Sequence, residues 1–477
     1  MGVSRSKVPV STGAVLGWTL LSALVPGAGH LRAGWRRTGL ALLGCYAAGL
    51  LALLFVALTA DGDLFGTAVN WLRTIAIGSL VLGLAWFALV VHTFIVLSPG
   101  RLPQNAQILT GTLAGLLAVA VIAPFAYAAQ TVWTIHSTIG NIFAPDEPLA
   151  DRPQQQGRPA DPWAGRERVN ILLLGGDADT HRTGVRTDSM NLASIDVASG
   201  NTVLMSLPRN LENVRFRPGT PMAERFPNGF RLPADPGGGR SDLLNSVWEY
   251  ADAHPEIFGG RTHQGAKVLM ETIGHTLGVK VDWYALVNMW GFAKLIDAIG
   301  GVTISVEKDV VFGKYNEGLV KAGTRKLNGG DAMWYARSRT YSDDYTRMRR
   351  QRCVIAALLD QADPATVLTR FNKIALATKE LIRTDIPRNM LAHLVPLALK
   401  VKNAKVSSIQ FVPPLISTGY PDWDKIRQIS TKAIRDSAER RPAAAASATP
   451  SGSSTPKPRK TTSLDPTKSL GDGCGVL

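Results

Sequence analysis

Val169-Asn170-Ile171-Leu172-Leu173-Leu174-Gly175-Gly176-Asp177 is a nearly continuous apolar run that stops on two glycines and a carboxylate. A strand with one wet face alternates polar and apolar residues. A run broken only by Asn170 is the pattern of a strand covered on both faces. The flanking sequence agrees with such a centre. Residues 191–196 and 202–207 read as two more strands, joined by a turn at Ser199-Gly200-Asn201. Ser241 can cap a helix reaching about His254, and residues 265–277 read as another helix. Residues 283–289 (strand), 291–299 (helix) and 302–311 (strand) then alternate. Helices dominate from 327 to 399, and 406–412 is a late strand. The expected fold is α/β, an α/β/α domain around a mixed central sheet, spanning residues 167–430.

The 477-residue chain is too long for one ordinary domain, and its halves differ. Three apolar stretches before residue 140 are long enough to cross a bilayer: 39–60, 75–97 and 108–132. The shorter stretch 15–25, broken at Pro26-Gly27, reads as an interfacial or re-entrant segment, with a fourth span as the alternative. Residues 1–140 therefore form an α-helical transmembrane region. Arg5, Lys7, Arg32, Arg36 and Arg37 precede the first span and Arg101 follows the second, whereas Asp61 and Asp63 occupy the intervening loop. Positive-inside logic places the N-terminus in the cytoplasm and everything after the third span outside the cell membrane. Residues 141–166, rich in Pro, Gln, Asp and Arg, read as a linker, and 431–477 as a disordered tail.

The formal net charge of +15 fits nucleic acid, anionic lipid or an anionic substrate. An extracytoplasmic domain excludes nucleic acid. Cys45, Cys353 and Cys474 form no CxxC pair, so neither a disulfide framework nor a zinc site is indicated. The terminal Cys474-Gly475-Val476-Leu477 has the form of a prenylation box, which would add little anchoring beside several spans. No GxxxxGK[ST], GxSxG or HExxH signature occurs.

Cationic residues cluster in one stretch, Arg337 and Arg339 followed by Asp344, Arg347, Arg350 and Gln351. An extended segment would point Arg337 and Arg339 the same way, and three-residue spacing stacks Asp344, Arg347 and Arg350 on one helix stripe. Guanidinium forks so held fit the oxygens of a phosphate or diphosphate; the alternative is a solvated helix face with internal ion pairs. Asp177 ends the central strand and Asp188, in Arg186-Thr187-Asp188-Ser189, precedes the next. Two carboxylates meeting at one sheet edge, with substrate phosphate oxygens and water, suit Mg2+; as an alternative they cap glycine turns. Arg209 closes a third strand at the same inferred end.

These residues, with Ser206-Leu207-Pro208-Arg209, Val287-Asn288, Gly291-Phe292, Asp297, Gly300-Gly301-Val302 and Leu327-Asn328-Gly329, occur in the order and spacing of the LytR-CpsA-Psr family, which the stretch from 168 to 360 resembles. The resemblance implies a membrane-displayed phosphotransferase that moves a glycan from a polyprenyl diphosphate carrier onto peptidoglycan. Asp177 and Asp188 would hold Mg2+. Arg209, Arg337, Arg339 and Arg347 would cradle the diphosphate, with Arg186, Arg350 and Gln351 as further substrate contacts. Asp344 would be a general base or would orient an arginine. The family motif usually reads Pro-Arg-Asp, and here Asn210 follows Arg209. That departure keeps a non-catalytic binding scaffold in view, beside a phosphatase and the transcriptional regulator of the family's older naming. Residues 268–277, 292–299 and 354–359 supply apolar helix surface for the carrier lipid, with ordinary core packing as the alternative. The glycine-rich segment 227–239 reads as a lid or a disordered insertion.

Overall fold

The computed structural model describes residues 11–59, 64–144, 163, 165–177, 185–234, 239–362, 382–439, 466–472 and 474. Its chain divides into two compact units, Met1–Ser137 and Thr138–Leu477.

In the first unit, α1 (Thr12–Leu24) and α2 (Ala28–Arg32) precede three long helices, α3 (Arg36–Thr59), α4 (Leu64–Val96) and α5 (Gln104–Ile142). Arg36–Phe55, Trp71–Arg101 and Gln104–Ser137 are long and apolar enough to cross a membrane, the three spans expected. The 13 residues of α1 are too few to span a bilayer. Ala23 of α1 instead packs with Val90 of α4 and Ala118 of α5. Gly29 is needed at this junction, because a Cβ there would lie 2.4 Å from Thr93 Cγ2.

In the second unit the apolar run forms β1 (Arg168–Asp177). It is followed by β2 (Arg186–Asp196), β3 (Thr202–Leu207), α6 (Pro221–Arg225), α7 (Val247–Ala253), α8 (Gly265–Leu277), β4 (Trp283–Asn288) and α9 (Met289–Ile299). Then come β5 (Val302–Val306), β6 (Val310–Phe312), β7 (Gly318–Val320), β8 (Gly323–Leu327), α10 (Gly329–Arg337) and α11 (Asp344–Gln361). The chain continues with β9 (Ile382–Thr384), α12 (Leu391–Asn403), β10 (Val406–Gln410), α13 (Trp423–Glu439) and β11 (Lys468–Ser469). The seven-stranded sheet runs β11-β10-β3-β2-β1-β4-β9. It is mixed: β1 pairs parallel with β4 and β3 with β10, whereas β1–β2, β2–β3, β4–β9 and β10–β11 are antiparallel.

Alternation along each strand divides the core into two layers. Leu172, Leu174, Leu192, Val203 and Met205 meet Val247, Leu269, Ile273 and Ile426 from α7, α8 and α13. Leu173, Ala193, Ile195, Leu204 and Val406 share the other layer with Ile355, Ala356 and Leu359 of α11. A second core ties α9, α10 and α11 to the β5–β8 ribbon through Ile296, Val302, Ile304, Ala332 and Val354. Gly329 lets α10 approach α9, since a Cβ there would lie 1.9 Å from Ala293 O.

Four expectations change. The single strand read over 302–311 is two strands, β5 and β6, parted at Glu307-Lys308-Asp309. In the segment 227–239 the described residues are ordered: Phe230 is fully buried in an aromatic cluster with Phe216, Phe226 and Tyr250. Where a disordered tail was expected from 431, α13 continues to Glu439 and Lys468–Ser469 returns as an edge strand on β10. Cys353 and Cys474, read as unpaired, form a disulfide across 121 residues of sequence. Neither the edge strand nor the link has a local sequence signal; both depend on the fold bringing distant segments together.

Candidate active site

The C-terminal ends of β1 and β4, the start of β2 and the residue pair after β3 meet at one end of the sheet. Asp177 pairs with Arg186 and Gly176 with Thr187 across β1–β2, after a register shift at Gly175/Gly176. This brings the backbone of Asp177 close to the start of β2; the Asp177 side chain lies outside the described residues. Asp188, two residues on, projects its carboxylate to Arg209, whose Nη1 donates to Asp188 Oδ1 at 2.5 Å.

α11 brings the remaining charges. Asp343 caps it, accepting from Thr346 N at 2.7 Å, so Asp344 sits in the first turn. Asp344 Oδ1 lies 3.0 Å from Arg347 Nη2, 3.4 Å from Arg209 Nε and 3.5 Å from Arg339 Nε. One carboxylate thus gathers three guanidiniums from three segments of chain. Arg347 also donates from Nη2 to the backbone oxygen of Asp188 at 3.1 Å. Its side chain is only 3% exposed, and burial, only partly offset by Asp344, pushes its pKa down to about 10. It still carries its proton at neutral pH.

Arg337 ends α10, its guanidinium 5.3 Å from the Trp334 ring centroid. Arg337, Arg339, Arg347, Gln351 and Asp188 all line one cleft of about 640 Å³. Away from this charged end the cleft is apolar, walled by Leu173, Val287, Phe292, Phe312, Met333, Trp334, Val354 and Ile355. Phe312 stacks on Trp334 with ring centroids 5.1 Å apart. Four guanidiniums (Arg209, Arg337, Arg339, Arg347) outnumber the described carboxylates Asp188 and Asp344, so the end is cationic. A cationic end on an apolar slot suits a ligand with an anionic head and a hydrocarbon body.

Most of the second unit falls within one family match. The LytR_cpsA_psr family model matches residues 145–424. The chain belongs to the LytR_cpsA_psr family. Among similar curated proteins, the polyisoprenyl-teichoic acid–peptidoglycan teichoic acid transferase TagU of Bacillus cereus is 26% identical over 280 residues, covering 58% of this chain and 79% of that protein. The TagU of Halalkalibacterium halodurans is 27% identical over 291 residues, covering 59% and 81%. Among solved structures, B. subtilis TagV aligns at 22% identity and a TM-score of 0.39, covering 58% of this chain and 99% of TagV.

Within this candidate site of a LytR_cpsA_psr member, not every residue singled out by the sequence faces the cleft. Arg350 is buried, donating to Ser338 O at 2.6 Å and Ser342 Oγ at 2.8 Å, so it braces the loop that carries Arg339. Arg186 pairs with Glu249 of α7 at 3.0 Å. Gln351 donates to Ala336 O at 3.3 Å while lining the cleft. Of the three helical stretches read as lipid surface, Phe292, Val354 and Ile355 do line the cleft, whereas Val268, Leu269, Ile273 and Leu277 belong to the opposite core layer. Sequence reasoning missed Asn191, which accepts from Ser206 Oγ at 2.6 Å and donates to Ser189 Oγ at 2.9 Å beneath Asp188. A polar residue inside an apolar strand was the available signal. Among the described residues, Asn210 Oδ1 is buried and has no hydrogen-bond partner.

Among the described residues no group of three or more His, Cys, Asp or Glu is placed to hold a metal ion. Mg2+ needs less than that, because one or two carboxylates suffice when phosphate oxygens and water complete its shell. Asp188, with its side chain 37% exposed at the cleft's charged end, fits that requirement.

Proposed function

We propose that this protein is a membrane-anchored phosphotransferase that moves a glycopolymer from a polyprenyl diphosphate carrier to peptidoglycan, its second unit lying outside the cytoplasm. The observation that carries the reading is the single cleft with a cationic end and an apolar body. The names of the TagU relatives specify a polyisoprenyl-linked donor and a peptidoglycan acceptor, and both chemistries suit this cleft. Arg209, Arg337, Arg339 and Arg347 hold the diphosphate oxygens, and the apolar walls take the isoprenoid. Asp344 positions the three guanidiniums around it. The acceptor hydroxyl oxygen bonds to the phosphorus next to the glycan as the bridging P–O bond breaks, and polyprenyl phosphate leaves, its new terminal oxygen taking up the hydroxyl proton directly or through water. Asp188, with Asp177, would hold Mg2+, which supplies charge neutralisation on the diphosphate. The arginines spread the charge that the transition state gathers, an effect worth on the order of 10³-fold in rate for a well-placed guanidinium.

The extracytoplasmic placement draws on the basic residues flanking the spans and on the Cys353–Cys474 link, since stable disulfides belong to oxidising compartments. The test is transfer itself. Purified protein is incubated with a polyprenyl-diphosphate glycan, Mg2+ and peptidoglycan fragments, and glycan on peptidoglycan is measured. Arg337→Ala and Asp188→Ala are each expected to reduce turnover at least about 10²-fold while the protein stays folded. Unchanged rates in both would overturn the site. Tight binding without transfer would favour the scaffold reading, to which Asn210 in place of the usual Asp lends its one specific observation.

A further inference from the structure

We propose that the C-terminal segment, residues 467–472 with Cys474, is a positioning element that sets the inner wall of the lipid cleft and so tunes recognition of the carrier chain. The inference rests on the function proposed above and adds to it a part of the protein outside the matched family region, which ends at residue 424.

Three kinds of bond converge on this short segment. Lys468 and Ser469 form the edge strand on Ser408 and Ser407, and Leu470 N donates to Val406 O at 3.1 Å. Arg352 of α11 donates to Asp472 O at 2.6 Å. The next residue of α11, Cys353, is covalently joined to Cys474. The segment therefore fastens the middle of α11 to β10, from opposite sides of one layer.

What lies in that layer gives the fastening a role. Leu470 is only 5% exposed and shares its apolar cluster with Ala193, Leu204 and Ala356, against which Leu173 and Ile355 pack. Leu173 and Ile355 also line the cleft. Leu470 thus backs, through Leu204, Ala193 and Ala356, the layer that carries the two side chains an isoprenoid would touch. A close-packed layer transmits such support, because losing side-chain volume behind it leaves a void or a shifted wall. Asp344 and Arg347 stand in the first turn of the same helix, tied separately to Arg209 and Asp188. Releasing the segment should consequently disturb lipid contact more than the charged end.

The experiment compares the native protein with Leu470→Ala and Cys474→Ser, using a long-chain polyprenyl-diphosphate donor and a short-chain, water-soluble one. Two readouts are taken: steady-state transfer, and binding of unreactive polyprenyl diphosphate followed by fluorescence of Trp334, which lines the cleft. Thermal melts identify any variant that is unfolded. We expect KM and Kd for the long-chain ligand to rise about tenfold, equivalent to about 1.4 kcal/mol, with kcat within about twofold and the short-chain donor unaffected. Lower melting temperatures with unchanged KM and Kd would reduce the segment to a stabilising clip and overturn the inference. Equal losses for both donors would overturn it too. Failure of the native protein to bind either ligand would instead bring down the proposed function on which it stands.

Discussion

Asp344 is the residue on which the candidate site turns, because Arg209, Arg339 and Arg347 all approach one of its oxygens. Asp344→Asn would leave Arg347 buried beside two other guanidiniums, with no carboxylate among the described side chains in contact. Removing one partner of a buried pair costs about 3 kcal/mol. A drop of that size in denaturant-measured stability is expected, together with loss of transfer; an unchanged midpoint would show that the arginines are held by other means. Its neighbour Asp343 makes a pH prediction. Hydrogen bonds from Thr346, side chain and backbone, hold the Asp343 carboxyl below its ordinary value of 3.8. The folded pKa is depressed, so this contribution is full above about pH 3.8 and fades as pH falls through the folded value. Asp343→Ala should cost about 1 kcal/mol at neutral pH, as lost helix caps do. Melts of both proteins should converge as pH drops below 3.8; a constant gap would mean that the charge is not what caps the helix. Arg350 shows where residue spacing stops being informative. It shares the three-residue spacing of Asp344 and Arg347, yet its burial against Ser338 and Ser342 is decided by the loop before the helix.

At the scale of elements, those with their own local pattern were readable. The apolar run of β1, the six residues of β3 and the amphipathic α8, ended by Gly278, each carry enough pattern to be placed from sequence. β9 and β11 do not. They are three and two residues long, and they are strands only because β4 and β10 offer them a ladder. The cleft was half legible for the same reason: Arg337, Arg339 and Arg347 lie in one stretch, but Arg209 and the apolar walls come from strands, helices and loops scattered along the chain. The α9–α10 contact that frames this cleft depends on Gly329. Gly329→Ala would drive a Cβ into the Ala293 carbonyl and should destabilise the domain by about 2 kcal/mol, the usual scale of overpacking. A melting temperature equal to that of the native protein would mean that α10 can shift without penalty.

For the whole molecule, three long apolar helices precede a basic domain, and the positive-inside pattern of the loops predicts that this domain lies outside the cytoplasm. A phosphatase reporter fused after Glu439 should be active in whole cells, and a fluorescent protein that folds only in the cytoplasm should stay dark at the same site. The reverse result would place the domain inside and end the transferase reading. The order of the sheet has a further consequence. Its long strands are interior, and its edges are β11 and β9, two and three residues long. Among the described residues, a neighbouring copy would find edge strands of only two and three residues to extend. Crowding of many copies along a bilayer is therefore compatible with their remaining separate molecules.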